Sequence, residues 1–365
     1  MVKSVRIGVI GLGSVSEKYV PHIRRLNIEG SPCEIVVACD LRPGMAERAR
    51  DWSISAFTTD YREVLARADV DVVLVLTAMQ SHGQITRDAL NAGKHVLVEK
   101  PMSMDLAEAA ELVALAKVSK GHLVCAPHVT LSRTYQDMWR HIQAGDIGKP
   151  LSARGLYGWS GPDWGPWFYE PGGGPMYDLG VYNVTTLTGL LGPAKRVMAM
   201  TGIAIPERIV DNRKITVQTD DNFQLLLDFG DACFAVVTTG FTMQRYQVAG
   251  IEIYGTEGTL NMKGEDWDPH GYDMWRNADG FWQNHEDRGH WPWTDGIRDL
   301  VQAVQQGRKP VNDPDHAYHV LEIMSKSMES GRTGQALPIV SSFTPARFDA
   351  VESRVAPHLD HAPGS

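Results

Sequence analysis

A glycine-rich turn between a predicted strand and a predicted helix constrains the fold more than any other feature of this sequence. The segment Val5–Ile10 is apolar and β-branched, as in a buried strand, and a helical pattern follows over residues 15–26. Gly11 and Gly13 lie between them and match the first two glycines of a G-x-G-x-x-G pattern, with Ser16 at the third position. The first glycine permits a tight turn, and the second lets the backbone approach a pyrophosphate at the helix N-terminus. The pattern therefore predicts a dinucleotide site on this turn.

Strand and helix signals alternate through the first 126 residues. Four further segments have the composition of buried strands, at residues 34–39, 70–76, 95–99 and 122–125, and helical patterns occupy most of the intervals between them. Strand–helix alternation at this spacing predicts a doubly wound parallel sheet. We assign this sheet to a first domain of residues 1–126.

The pattern changes in the remainder of the chain. Longer segments of alternating apolar and polar residues occur at 151–159, 196–205, 223–229, 233–241 and 251–254, separated by turn residues. They predict an α+β second domain over residues 127–345 with a mainly antiparallel sheet. Residues 346–365 are predicted to form a frayed C-terminal tail.

An acidic residue ends the second predicted strand. Asp40 lies 27 residues beyond Gly13. A carboxylate at this point hydrogen-bonds the ribose 2′-OH of NAD and repels the 2′-phosphate of NADP. Arg42, two residues later, has the opposite preference because a guanidinium binds phosphate. The sequence favours NAD as the cofactor and leaves NADP as an alternative.

Charge and cysteine content exclude several classes of protein. Acidic residues outnumber basic ones and give a formal charge of −9, which argues against nucleic acid or an anionic membrane as a partner. The four cysteines form no Cys-x-x-Cys pair and have no histidine at a zinc-like spacing, so neither a disulfide framework nor a metal site is expected. No signal-peptide pattern or membrane-spanning apolar segment is found, and the expected location is the cytoplasm.

Two segments carry residues suited to removing hydride from an alcohol. Lys100 follows the fourth predicted strand, at the edge of the sheet where ligands bind in open α/β folds. Asp178, Tyr182 and Asn183 follow three consecutive glycines, and a helix there would place Asp178 and Tyr182 on one face. The reaction requires a base for the hydroxyl proton, and tyrosine serves if a nearby lysine lowers its pKa. Taken singly, Lys100 has the alternative of a surface ion pair and Tyr182 that of a packed aromatic ring.

On these residues the chain resembles the Gfo/Idh/MocA oxidoreductases, the relatives of glucose–fructose oxidoreductase and inositol dehydrogenase. The resemblance rests on the glycine turn, on segment 92–101 (AGKHVLVEKP) and on segment 172–183 (GGGPMYDLGVYN), and it extends over essentially the whole chain. It implies an N-terminal Rossmann domain and a C-terminal domain with a large open sheet, through which homodimers or homotetramers form. It also implies reversible oxidation of sugar or polyol hydroxyls with NAD or NADP.

The resemblance also implies roles for individual residues. Lys100 matches the family's active-site lysine and Asp178 the aspartate of its D-x-G-x-H motif, in which Tyr182 replaces the usual catalytic histidine. A subgroup similar to glucose–fructose oxidoreductase and dihydrodiol dehydrogenase has tyrosine there, which implies a Tyr/Lys acid–base pair. Thr77 and His82 match the family's T-P-x-x-x-H segment, which lacks its proline here. The predicted cofactor-binding residues are Gly11, Gly13, Ser14, Val15, Asp40, Arg42, Thr77, His82, Glu99 and Lys100.

Tryptophan is concentrated in the second domain, where eight of the ten lie between Trp159 and Trp293. Aromatic rings stack on the apolar faces of sugars, so the groups at 157–169 and 267–293 predict carbohydrate contacts; an aromatic subunit interface is the alternative. His128 follows the fifth predicted strand and is expected either to line the interdomain cleft or to be a buried boundary residue. The predicted substrate-binding residues are His128, Tyr157, Trp159, Trp164 and Asn183.

The function predicted from the sequence is hydride transfer between a sugar, glycoside or polyol hydroxyl and NAD(P). Lys100, Tyr182 and Asp178 are the predicted catalytic residues. One alternative is a redox-assisted lyase or glycosidase, in which transient oxidation permits elimination and NADH then returns the hydride. The other is a non-catalytic NAD-binding sugar sensor. Net accumulation of NADH distinguishes the dehydrogenase from both.

Overall fold

The N-terminal sheet is parallel throughout. The computed structural model describes residues 3–289 and 291–348. The strands of this sheet are β1 (Val5–Ile10), β2 (Cys33–Cys39), β3 (Phe57–Thr58), β4 (Val72–Val75), β5 (His95–Val98) and β6 (Leu123–Cys125). They lie in the order β3-β2-β1-β4-β5-β6, and every pair is parallel. The predicted doubly wound sheet is confirmed.

Helices alternate with these strands and cover both faces of the sheet. They are α1 (Ser16–Ile28), α2 (Met45–Asp51), α3 (Tyr61–Ala66), α4 (His82–Asn91) and α5 (Leu106–Val118). Ile7 and Val9 pack with α1 in one apolar cluster, whereas Val73 and Val75 pack with α4 in another. Burial on both sides explains why these strands are apolar at nearly every position. The short elements β3 and α3 were not predicted, because two strand residues and six helix residues leave little periodicity to detect.

The C-terminal half contains a much larger sheet. Its strands are β7 (Pro150–Gly158), β8 (Arg196–Gly202), β9 (Glu207–Val210), β10 (Arg213–Thr216), β11 (Asn222–Gly230), β12 (Cys233–Gly240), β13 (Ile251–Gly255), β14 (Gly258–Glu265), β15 (Asp268–Arg276), β16 (Trp282–Glu286) and β17 (Leu337–Pro338). Nine of them form one sheet in the order β16-β15-β14-β13-β7-β12-β11-β8-β17, and β9 pairs with β10 in a separate hairpin. Within the described part of this large sheet, only the pairing of β7 with β12 is parallel, so the prediction of a mainly antiparallel sheet is confirmed.

One face of the large sheet is covered by helices and the other is exposed. The remaining helices are α6 (Arg133–Ala144), α7 (Val181–Leu191), α8 (Gly296–Gln306) and α9 (Pro314–Thr333). α7 packs on β7, and α9 packs on β8 and α7. The opposite face carries apolar side chains that are each more than 40 % exposed, namely Met198, Met200, Leu226, Phe234 and Val236. This face therefore presents an apolar surface among the described residues.

Late in the chain, α8 returns to the N-terminal sheet. Ile297, Leu300 and Val301 are fully buried in the same apolar cluster as β1 and α1. The domain bounds at residues 126 and 345 therefore remain predictions. Helix α8 belongs to the predicted second domain by sequence, but it packs against the first sheet. Of the predicted tail, Phe348 is buried against Trp139, and residues 349–365 lie outside the described part.

Among the described helices, none combines the length and the apolar character that crossing a bilayer requires.

A buried carboxyl group lies where α7 meets the turn between β14 and β15. Asp266 is 1 % exposed, and its Oδ2 accepts hydrogen bonds from Asn183 Nδ2 at 3.0 Å and from Thr186 Oγ1 at 2.9 Å. The Oδ1 atoms of Asp266 and Asn183 have no hydrogen-bond partner among the described residues. Burial raises the pKa of Asp266 to about 7, although the bonds from Thr186 and Asn183 oppose this rise. Below that pH the group is held mainly as a neutral acid.

We expect Asp266→Asn to flatten the pH dependence of stability. The folded protein retains a proton on Asp266 that the unfolded chain releases near the ordinary pKa of 3.8, so the free energy of unfolding falls as the pH rises from there to about 7. Asparagine does not titrate. As the pH rises from 3.8 to about 7, the free energy of unfolding of the variant should therefore increase relative to that of the natural protein by about a few kcal/mol. Denaturant titrations at fixed pH values measure the difference.

Asp268→Asn is the matched control for this experiment. Asp268 is two residues away, and its side chain is 42 % exposed. We expect its variant to keep the pH profile of the natural protein. Parallel profiles for Asp266→Asn and the natural protein would show that Asp266 is not the group that titrates.

Candidate active site

The glycine turn after β1 is shaped by two different requirements. Gly11 has φ +97°, and a Cβ atom there would lie 2.6 Å from the carbonyl oxygen of Leu76. Only glycine fits because both the backbone conformation and the space exclude a side chain. A Cβ atom on Gly13 would meet nothing within 4 Å, so this residue faces the open cleft. Gly11 is thus required by the fold, and Gly13 leaves room for a ligand against the backbone.

Donors for an anion are present at the start of α1. Among the described residues, the backbone N–H groups of Gly13, Ser14 and Val15 have no protein acceptor. Ser16 is fully buried, and its hydroxyl donates to the carbonyl oxygen of Gly13, which holds the turn against the helix. Free N–H groups at a helix N-terminus attract phosphate. The turn therefore fits the pyrophosphate of a dinucleotide, as the sequence predicts.

Asp40 lies at the far side of this turn. It is 8 % exposed, and its Oδ2 accepts the backbone N–H of Leu12 at 2.9 Å. Arg42 donates through Nε to Oδ1 at 2.9 Å and through its terminal nitrogen to Oδ2 at 3.0 Å. Burial alone would raise the pKa of Asp40, but the bonds from Arg42 and Leu12 outweigh it and the pKa is lowered. The carboxylate is ionised and already paired with the residue that was predicted to favour a phosphate.

A cleft of about 430 Å³ continues from this pair along the carboxyl ends of β1 and β4. Its lining includes Gly11, Gly13, Asp40, Arg42 and Thr77, five of the predicted cofactor-binding residues. A volume of this size is typical of small-molecule sites, which span roughly 300–1,000 Å³. The cleft fits the adenosine part of a dinucleotide in position and size.

His82 supports this cleft from behind. Its ring is 1 % exposed, with Nε2 lying 3.0 Å from the Thr77 carbonyl oxygen and Nδ1 2.8 Å from that of Pro101. Burial lowers the pKa of His82. The ring thereby ties the loop after β4 to the loop after β5. This geometry favours a positioning role, and the predicted direct contact of His82 with the cofactor remains a prediction.

Lys100 joins the two halves of the molecule. It follows β5, and its Nζ donates to Asp178 Oδ1 at 3.0 Å and to the Asp178 carbonyl oxygen at 2.8 Å. Both side chains are largely buried, with 15 % and 24 % of their surface exposed. Burial alone would lower the pKa of Lys100, but Asp178, Tyr182 and Glu99 outweigh it and hold the pKa above its usual value. Lys100 is therefore an ammonium group fixed by Asp178.

Tyr182 lies on the other side of Lys100. A single π-helical turn, Met176–Gly180, precedes α7, and the Lys100 ammonium lies 5.4 Å from the centroid of the Tyr182 ring. Burial raises the pKa of Tyr182, and the charge of Lys100 offsets only part of the rise. The structure thus brings together the three predicted catalytic residues, with Lys100 in contact with both Asp178 and Tyr182. Insertions of this π-helical kind often occur at functional sites.

Behind Lys100, a buried chain of polar groups crosses the domain boundary. Glu99 Oε1 accepts the Tyr19 hydroxyl at 2.8 Å, and that hydroxyl lies 3.4 Å from Nε2 of His128. Asn312 lies 2.9 Å from the other ring nitrogen of His128. His128 is 1 % exposed, and burial lowers its pKa to about 3. The ring is neutral and enclosed, so the geometry favours the buried boundary role over the predicted contact with substrate.

Sequence reasoning did not identify Tyr19 or Asn312. Tyr19 is three residues beyond Ser16 on the buried face of α1, a position that periodicity marks as core. The available signal was a tyrosine on a face predicted to be buried. A buried phenol hydroxyl requires a hydrogen-bond partner, so a polar group is expected nearby. Asn312 lies in a loop far along the chain, and nothing in its neighbourhood marks it.

The remaining predicted substrate-binding residues have different surroundings. Tyr157 lies edge-on to Tyr182 at a ring separation of 6.0 Å and is stacked with Trp267 at 6.4 Å. Trp159 packs against Trp164 and Phe241, beside a small apolar cluster that Tyr157 also contacts. Asn183 is fully buried and bonded to Asp266, so it cannot reach a ligand without exposing that pair. The geometry supports a direct role for Tyr157 and a structural one for Asn183.

All four cysteines are free and buried, and burial raises the pKa of Cys33 to about 11 and that of Cys39 to about 12. Within residues 3–289 and 291–348, no group of three or more His, Cys, Asp or Glu side chains is arranged to hold a metal ion.

Comparisons with known proteins agree with this architecture. Residues 5–126 match a family model described as an oxidoreductase family with an NAD-binding Rossmann fold, and residues 135–261 match the GFO/IDH/MocA C-terminal domain. The chain is 29 % identical over 263 residues to 1,5-anhydro-D-fructose reductase of Ensifer adhaerens, covering 70 % of this chain and 74 % of that protein. It is 28 % identical over 266 residues to scyllo-inositol 2-dehydrogenase (NAD(+)) of Bacillus subtilis (strain 168), covering 71 % and 74 %.

Solved structures share the same fold. A levoglucosan dehydrogenase in complex with NADH and levoglucosan superposes with a TM-score of 0.82 at 21 % identity, over 92 % of this chain and all of the other. The two family models occur in the expected order and together span about two thirds of the chain. On the evidence of these matches and of the glycine turn, Lys100 and the large open sheet, this protein belongs to the Gfo/Idh/MocA family of NAD-binding oxidoreductases.

Proposed function

We propose that this protein is an NAD-dependent dehydrogenase that oxidises a hydroxyl group of a neutral sugar, glycoside or polyol. The observation that carries the proposal is the contact of Lys100 with both Asp178 and Tyr182, at the sheet edge that also holds the glycine turn. The names of the relatives, a reductase of anhydrofructose and a dehydrogenase of inositol, support a carbohydrate hydroxyl as the reacting group.

Residues around the turn would hold the nucleotide. The N–H groups of Gly13 to Val15 suit its pyrophosphate, and Asp40 suits a ribose hydroxyl. A bound oxidised nicotinamide would supply the hydride acceptor. The positive charge of Lys100 favours the deprotonated form of Tyr182.

In this proposal, Tyr182 is the residue that accepts the hydroxyl proton. The Lys100 ammonium is held charged by Asp178 and therefore cannot accept a proton, but it can donate a hydrogen bond to the substrate oxygen. The Tyr182 phenolate takes the hydroxyl proton while the hydride leaves the adjacent carbon. Asp178 fixes the ammonium in place and keeps it ionised. In this division of roles, Tyr182 is the base and Lys100 is the hydrogen-bond donor.

The preference for NAD over NADP rests on the Asp40–Arg42 pair. A buried carboxylate that bonds the turn at Leu12 repels a 2′-phosphate at the ribose. Arg42 is already bidentate on Asp40 through Nε and one terminal nitrogen, so the Asp40 carboxylate offsets the charge that would attract a 2′-phosphate. Both features favour the free 2′-hydroxyl of NAD.

Assembly through the large sheet forms part of the proposal. Met198, Leu226 and Val236 lie side by side across β8, β11 and β12 on its exposed face. Each is more than 40 % exposed, and Met200 on the same face is 78 % exposed. An apolar patch of this kind is typical of a surface that associates. A homodimer or homotetramer formed on this face would bury it.

We expect Lys100→Met and Tyr182→Phe each to lower turnover by about 100-fold or more, because each removes a group that acts on the reacting hydroxyl. Binding of NADH, measured by calorimetry, should change little.

In the natural enzyme, kcat/KM for oxidation should rise with pH on the alkaline side, since burial raises the pKa of Tyr182. Tyr182→Phe should lose that rise.

Tyr318→Phe on α9 is the matched control for the tyrosine variant and should retain full activity. Normal turnover in either Lys100→Met or Tyr182→Phe would overturn the roles given to these residues. Turnover of substrate without net NADH would indicate a redox-assisted lyase.

Asp40→Asn should relax the choice of nucleotide. The amide oxygen can still accept the Leu12 N–H, but the negative charge that repels a 2′-phosphate is gone. We expect the ratio of kcat/KM for NADP⁺ to that for NAD⁺ to rise by about tenfold or more. Initial rates with both nucleotides measure it. A natural enzyme that already prefers NADP⁺ would contradict the assignment.

Leu226→Asp should dissociate the assembly, because it places a charge in the centre of the exposed apolar row. Light scattering after size-exclusion chromatography should give a multiple of the chain mass for the natural protein and a smaller species for the variant. Ile28→Asp, on an 87 % exposed residue at the end of α1, is the matched control. A monomeric natural protein would refute this part of the proposal.

A further inference from the structure

A second cleft lies along the outer side of α1, away from the nucleotide cleft. It measures about 600 Å³ and is bordered on one side by α1 and on the other by Trp267, Trp291 and Trp293. The three rings are half-buried, so part of each remains available to a ligand. Nothing in the proposed hydride transfer uses this space. Its volume falls within the range of roughly 300–1,000 Å³ that small-molecule sites occupy.

Ring contacts connect the wall of this aromatic cleft with the candidate active site. Trp267 lines the cleft and also stacks on Tyr157 at 6.4 Å. Tyr157 in turn meets Tyr182 edge-on at 6.0 Å. Trp293 lies 5.8 Å from Tyr19, whose hydroxyl bonds the Glu99 that precedes Lys100. Trp267 therefore borders the cleft and, through Tyr157, neighbours Tyr182.

The charges around the cleft indicate a neutral ligand. Lys18 and Arg25 border it from α1, and Glu17 and Asp268 supply equal negative charge. Such a balance selects neither an anion nor a cation, but it offers donors and acceptors beside flat apolar rings. That combination suits a sugar ring, whose C–H face stacks on tryptophan while its hydroxyls bond polar groups.

The remaining tryptophans of this part of the chain lie elsewhere. Trp275 and Trp282 pair with each other at 5.9 Å on neighbouring strands at the edge of the large sheet. Trp282 is 50 % exposed and does not border the cleft. The group of tryptophans at 267–293 is therefore two separate sets, and only one of them faces the active site.

We propose that the cleft formed by Trp267, Trp291 and Trp293 binds a second sugar unit, so that the natural substrate is a neutral disaccharide or longer glycoside. The inference rests on the proposed function, because the first unit must be the one that is oxidised. The reacting ring would lie beside Tyr182 and Tyr157. The second would stack in the aromatic cleft along α1.

The test compares disaccharides with their constituent monosaccharides. Initial rates of NAD⁺ reduction are measured for maltose, cellobiose, lactose, melibiose, sucrose and trehalose, and for glucose, galactose and fructose. We expect at least one disaccharide to exceed its better constituent in kcat/KM by about tenfold, the gain that one well-packed aromatic contact provides. Disaccharides that are all poorer than their constituents would overturn the inference.

Trp291→Ala identifies the cleft as the cause of any such preference. We expect the ratio of kcat/KM for the preferred disaccharide to that for its constituent monosaccharide to fall by about tenfold. Trp282→Ala removes the same side chain outside the cleft and should leave this ratio unchanged. Trp291→Phe keeps an aromatic face, and its ratio should lie between those of Trp291→Ala and Trp282→Ala. Equal ratios in Trp291→Ala and Trp282→Ala would refute the assignment of the cleft.

A binding measurement separates this inference from the proposed function. If none of the sugars reduces NAD⁺, the dehydrogenase proposal fails, and calorimetric titration of the same disaccharides into the enzyme with NADH tests the cleft by itself. Binding of a disaccharide that Trp291→Ala weakens and Trp282→Ala does not would support the cleft. Absence of disaccharide binding would refute it. If monosaccharides are oxidised and disaccharides show no advantage, the function stands and the inference fails.

Discussion

The ion pair between Lys100 and Asp178 is the interaction on which the site depends. Lys100 belongs to the N-terminal sheet and Asp178 to the segment before α7, so the pair exists only when both halves have folded together. Desolvation disfavours an isolated charge in such a position, and the Asp178 carboxylate and carbonyl oxygens compensate for it. Tyr182 lies four residues beyond Asp178, and its ring also contacts the Lys100 ammonium. The proposed chemistry and the packing of the two halves therefore share one interaction.

A second set of polar contacts supports this arrangement from behind. Glu99, Tyr19, His128 and Asn312 form a buried chain that runs from β5 through α1 to a loop near α9. Each member satisfies another, which buried polar groups require. Because α8 also packs on α1, the late part of the chain closes over the first domain. The two halves are therefore joined on both sides of the site.

Local patterns in the sequence were sufficient for most of the fold. Strands β1, β2, β4, β5 and β6 and the glycine turn follow from apolar runs with helices between them, because burial on both faces leaves a strong signal. The parallel pairing of β7 with β12 could not be predicted, since no local feature records which distant strand becomes a neighbour. The packing of α8 on the first sheet could not be predicted for the same reason.

The sequence by itself determined the class of fold, the nucleotide turn and the candidates for acting on a hydroxyl, because these depend on residue type and on spacing along the chain. Only the tertiary structure decided which candidates meet. It joined Lys100 with Asp178 and Tyr182, enclosed His128 and Asn183, and separated Trp267 from Trp282. Burial and contact depend on segments far apart in sequence, and a linear pattern does not contain that information.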